Sequence, residues 1–159
     1  MEEARMARLP TTTGRVTDAS SDAANRRIEA DIAQSVAFHA DHPELIDRRL
    51  VELDREWDTE RVLEANAATL ALGGTVLGIL EDRRFLALPI LVTGFLLQHA
   101  LQGWCPPLPV LRRIGVRTAR EIERERTALK ALRGDFAAVP AAQSRNGKAR
   151  ADAALRAAS

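Results

Sequence analysis

A chain of 159 residues with 23 basic and 22 acidic side chains has a net charge of +1, so charge alone selects no class of partner. Its single cysteine excludes an internal disulfide framework, and its three histidines, His39, His42 and His99, are too scattered for a zinc site. With no tyrosine and few aromatics, the chain favours helix over strand and predicts an all-α fold.

Residues 1–19 are polar, with Pro10, a threonine run and Gly14, and lack the apolar core of a signal peptide. They are expected to form a retained, disordered amino-terminal arm. Ser20 or Ser21 can cap a first helix whose Ile28, Ile32, Val36 and His39 keep helical spacing. Asp41-His42-Pro43 breaks it, and Pro43 suits the first position of the next helix. That second helix carries a stripe of Ile46, Leu50, Leu53 and Trp57 against charged faces. Residues 20–61 therefore predict an amphipathic helix pair lying on a core or at a membrane surface.

Charge vanishes from Ala65 to Leu80, returns in Glu81-Asp82-Arg83-Arg84, and vanishes again from Phe85 to Leu111. A membrane span needs about 20 mainly apolar residues, so residues 62–104 predict a two-helix transmembrane hairpin. The first span is short and needs Val62, Leu63 and snorkelling by Arg61 or Glu64. The alternative is a hairpin buried in a soluble bundle. Arginines crowd both outer flanks (Arg48, Arg49, Arg55 and Arg61; Arg112, Arg113, Arg117, Arg120 and Arg124). The positive-inside rule then puts both termini in the cytoplasm of a bacterial inner membrane, with Trp57, Trp104, Arg112 and Arg113 as interface anchors.

Small residues should let the two helices approach, with Gly74 and Gly78 on the first and Gly94 on the second, Gly74 lying at the depth of Ile90 to Gly94. Asn66, Gln98, His99 and Gln102 are expected to face the partner helix, where their polar groups can pair.

Cys105-Pro106-Pro107 must leave helical geometry. Pro109 can begin a short turn ending at Gly115, and Thr118 with Glu121 gives a capping-box signature. The following helix places Ile122, Leu129, Leu132 and Phe136 on one side and stops at Gly134. Residues 105–136 thus form a Cys-Pro turn and amphipathic helix. Residues 137–159 read as a disordered, basic, Ala-rich tail.

The run Gly103-Trp104-Cys105-Pro106, with Leu111, Ile114, Gly115 and Thr118 after it, resembles the transmembrane domain of the YgaP-type inner membrane rhodanese family. The likeness covers about Leu63 to Thr118 and implies a small two-helix membrane domain. The fused sulfurtransferase domain of the family's namesake has no counterpart here, so the resemblance implies no such activity.

Two residues invite chemistry. Cys105 could serve as a sulfur carrier or redox sensor, with Arg112 and Arg113 favouring its thiolate, or could be a small residue fitted to a tight turn. His99 could transfer protons with a carboxylate, of which Glu64 is nearest in depth, or bind haem with help from another subunit. The bland reading is a neutral imidazole bonded to Asn66. No metal or cofactor is expected, and matched charges without an aromatic platform argue against nucleic acid. The sequence favours a non-enzymatic module whose partners are the lipid bilayer and either itself or another membrane protein.

Overall fold

The computed structural model describes residues 11–137, 139 and 147–158. All regular structure among them is helical. The helices are α1 (Arg15–Asp18), α2 (Asp22–Asp41), α3 (Ile46–Arg55), α4 (Thr59–Leu80), α5 (Ala87–Gln102), α6 (Leu108–Arg113), α7 (Ala119–Arg133) and α8 (Gly147–Ala158). Short 3-10 turns at Pro43–Leu45 and Arg83–Leu86 lead into α3 and α5. The chain divides into two compact units. One comprises the residues up to Ala30 with Trp57–Glu121; the other comprises Asp31–Glu56 and the chain from Ile122 onward.

In the first unit, α4 and α5 form an antiparallel pair joined through Glu81–Arg84. Asp58 caps α4 by accepting from the Arg61 amide at 2.8 Å, and Asp82 accepts from the Arg84 amide at 2.8 Å to start the second arm. Close approach depends on two glycines. A Cβ at Gly74 would lie 2.7 Å from Pro89 Cδ, and one at Gly78 would lie 2.5 Å from Leu86 Cδ2. Gly74 therefore meets Leu88 and Pro89, nearer the turn than the Ile90–Gly94 depth expected from counting residues. Gly94 corrects the sequence reading: it is exposed, and a Cβ there would meet nothing within 4 Å. Nothing in the pair needs that position to be small.

The expected arm is also corrected over its described part, because α1 is helical and Val16 is buried with Leu63, Cys105 and Leu108. An apolar residue among polar neighbours finds its core only through a contact far along the chain, which periodicity cannot register. Residues 1–10 lie outside the described residues. The α5 terminus explains part of this docking. Gly103 takes φ +77°, and a Cβ on it would lie 2.2 Å from the Arg15 carbonyl oxygen, so only glycine admits α1 here. Thr59, fully buried, donates its amide (2.8 Å) and hydroxyl (3.0 Å) to the Arg117 carbonyl.

In the second unit, Ile46, Leu50 and Leu53 of α3 pack with Ile122 and Leu129 of α7. Each buried side chain of this kind contributes about 1.5–3 kcal/mol of transfer free energy. Trp57 departs from the expected stripe: it belongs to the first unit, remains 49% exposed, and lies under the Arg61 guanidinium at 4.4 Å. Ser21 of the first unit, rather than Ser20, accepts from the Ala24 amide as the cap of α2. Gly134, at φ +90°, ends α7 as expected. Leu132 is 46% exposed, so the apolar side of α7 is narrower than its sequence suggests. In the tail, Gly147–Ala158 is a helix rather than a disordered segment; residues 138, 140–146 and 159 lie outside the described residues.

Candidate functional site

The first unit gathers its ionisable groups where the open end of the α4–α5 pair meets α1. Glu60, in the first turn of α4, divides its carboxylate between two partners. Arg15 Nη2 donates to Oε1 at 2.8 Å, and His99 Nε2 lies 2.9 Å from Oε2. His99 is 2% exposed, and its Nδ1 has no hydrogen-bond partner among the described residues. The Glu60 carboxylate orients the imidazole through Nε2. The expected partners of His99 are thus corrected, since Asn66 and Glu64 give way to Glu60. The antiparallel pairing explains the change. It sets the last turn of α5 against the first turn of α4, and Glu64 points outward, exposed.

The other predicted polar positions do not build a network across the helix pair. Asn66 is exposed and donates to the Val62 carbonyl of its own helix at 2.8 Å. Gln98 is half-buried, and Gln102 is exposed at the end of α5. Thr69, Thr75 and Thr93 likewise donate to carbonyls four residues earlier, at 2.7, 2.7 and 2.6 Å. A hydroxyl on a helix can satisfy its one donor locally, which removes the need for a cross-helix partner; the Asn66 amide meets only one of its groups this way.

Cys105 is 4% exposed, beside Val16, Leu63 and Leu108. Burial pushes its thiol up from the ordinary value and the nearby Glu60 charge adds to this, against a weaker opposing bond from the Leu108 amide. The thiol therefore stays protonated at neutral pH. It lies at one end of an apolar groove of about 230 Å³ whose walls include Leu63, Asn66 and Leu70 of α4 and Val92, Phe95 and Leu96 of α5.

Arg112 corrects two expectations at once. It is neither an exposed interface anchor nor a cation serving Cys105, because it is 1% exposed and engaged elsewhere. Its Nη1 and Nη2 each donate to a Glu121 oxygen at 2.7 Å. Nη2 also donates to Asn25 Oδ1 at 2.9 Å, and Nη1 to the Val116 carbonyl at 3.1 Å. Glu121 also accepts from the Thr118 amide at 2.7 Å while its own amide donates to Thr118 Oγ1, the capping box read from the sequence. Burial would raise the Glu121 carboxyl, but the Arg112 and Thr118 bonds outweigh it and hold the group below the usual carboxylate range. Arg113 is exposed, as are Trp57 and Trp104.

The second unit holds a buried carboxylate that sequence reasoning missed. Glu125, fully buried, accepts from Ser35 Oγ at 2.5 Å and from Arg49 Nε and Nη2 at 2.8 and 3.2 Å. The available signal was its place on the face of α7 shared by Ile122 and Leu129. His39 nearby turns Nδ1 to the Ser35 carbonyl at 2.8 Å. Among the described residues, no three metal-ligating side chains converge. Comparison with family models, curated proteins and solved structures returns no match.

Proposed function

We propose that this chain is a small integral protein of a bacterial inner membrane. Its α4 and α5 form a transmembrane hairpin, both termini are cytoplasmic, and the charged helices flank the hairpin as a non-enzymatic structural or interaction module. The observation that carries the reading is the outward direction of the apolar side chains. Leu72, Ile79, Leu80 and Ile90 are 68–74% exposed, and the helices bearing them are long and apolar enough to cross a membrane. The core hairpin of a soluble bundle would bury such residues, and an apolar belt of this kind in water invites aggregation. In hydrocarbon it costs nothing, provided the backbone and polar side chains are satisfied from within. The local bonds of Thr69, Thr75 and Thr93 support that condition.

Arginine excess on the outer flanks supports the orientation, and exposed Trp57, Trp104 and Arg113 suit the headgroup layer. The likeness of Gly103-Trp104-Cys105-Pro106 to the YgaP-type membrane domain supports the same reading. The sulfur-carrier alternative gains nothing from a buried, protonated Cys105. An alkaline carbonate wash of membranes tests the proposal: the protein is expected to stay in the pellet. A cysteine placed at Arg83 should react with an impermeant maleimide from outside intact spheroplasts. Release by carbonate would overturn the membrane reading, and labelling of that cysteine only after lysis would overturn the orientation.

A further inference from the structure

Four of the five residues in one line along α4 are apolar or glycine, and the line is uncovered. Asn66, Leu70, Gly73, Leu77 and Leu80 follow one another at steps of four, three, four and three, and all five are exposed. That spacing is the seam of a left-handed helix pair. It is distinct from the face used within the chain, where Gly74 and Gly78 meet α5. A Cβ at Gly73 would meet nothing within 4 Å, so this glycine leaves room for another backbone.

Asn66 names the occupant. Its amide spends one N–H on the Val62 carbonyl, and among the described residues its carbonyl oxygen and second N–H have no partner. It lies four residues inside the span, about 6 Å below its start. An amide at that depth seeks a polar group at the same level. A two-fold axis parallel to the helix supplies one by construction, because it brings Asn66 of a second copy to the same height. We therefore infer that this chain forms a parallel dimer through the Asn66–Leu70–Gly73–Leu77–Leu80 face of α4, with the two Asn66 amides bonded across the axis. The groove of about 230 Å³ has Asn66 and Leu70 on one wall, and it receives an apolar side chain of the second copy. The inference rests on the membrane reading above.

The test places single cysteines in the full chain in its native membranes, with the wild type as control for Cys105, followed by mild oxidation. Leu70→Cys, Gly73→Cys and Leu77→Cys should give a disulfide-linked product of twice the chain mass. Leu72→Cys and Ile79→Cys, on other faces of α4, should give severalfold less. Asn66→Leu should weaken association about threefold, as loss of one intramembrane hydrogen bond implies, while Asn66→Gln retains it. Carbonate washing of the same membranes separates the two readings. Release overturns both. Retention with equal crosslinking at all five positions, with none at the seam, or with a product containing a different protein overturns the dimer alone.

Discussion

Replacing Arg112 by methionine keeps most of the side chain's length and removes its charge and every donor. Two 2.7 Å bonds to Glu121 are lost, together with those to Asn25 and the Val116 carbonyl. Glu121 then keeps the Thr118 amide as its bonding partner, in a position 8% exposed. Breaking one side of a buried ion pair costs about 3–5 kcal/mol, mostly because the surviving charge is uncompensated. At tenfold per 1.4 kcal/mol, the lower figure multiplies the local opening equilibrium by about a hundred. Hydrogen–deuterium exchange of the full chain in detergent micelles reads this directly. Amides from Leu111 to Glu121 should lose about a hundredfold in protection, or fall to the unprotected limit. Arg112→Met with Glu121→Leu removes both charges and should recover most of the loss. If the single variant changes protection less than about threefold, or the double variant is no better, the orphaned carboxylate is not what the arginine prevents.

The same pair sets a pH dependence. The Arg112 and Thr118 bonds hold Glu121 below the ordinary carboxylate value of about 4.3, so its contribution is present above that pH and fades as pH falls through the lower folded value. Wild-type protection of these amides should drop on acidification below the ordinary carboxylate range, and the double variant should show no such step. Cys105 should react with a small maleimide at pH 7 more slowly than a free model thiol, because burial holds its thiol above the ordinary value; equal or faster rates would restore the reactive-thiol reading. Gly78→Leu should splay the helix pair and expose Leu86 to protease, whereas Gly94→Ala should leave the cleavage pattern unchanged. Gly103→Ala should release α1 at a cost of more than about 1 kcal/mol for the backbone alone, read as faster cleavage after Arg15.

Much of the architecture was legible because it rests on local signals. Loss of charge marked α4 and α5, Asp82 and its arginines marked the turn, and Thr118 with Glu121 marked the start of α7. The two glycines that face α5 could be named because they stand one turn apart on a helix that must pack closely. Gly94 obeyed the same composition rule and failed, since composition does not say which face a residue occupies. The site was less legible. Arg112 beside Arg113 looks like a surface pair, and only Asn25, 87 residues earlier, and Glu121 reveal that one is internal. Glu60 fell just outside the expected span, so its claim on His99 was passed over for Glu64. Arg15 belonged to a segment read as loose, and Glu125 to a face read as purely apolar. In each case the deciding partner was distant in sequence.

Thr59 has a consequence for the order in which the molecule is made. Its amide and hydroxyl, at the entrance to α4, wait for a carbonyl 58 residues downstream. Glu60, the next residue, waits for His99, 39 residues downstream. A ribosome extends a chain by about 5–20 residues per second. The threshold of α4 therefore spends several seconds with these groups unmet, while everything up to Arg117 is synthesised. The two arms can be threaded one after the other, but the entrance to α4 is closed only when the segment after α6 has been made. A chain stalled before Arg117 would carry both arms, joined by Glu60 and His99, with the Thr59 amide and hydroxyl still unmet.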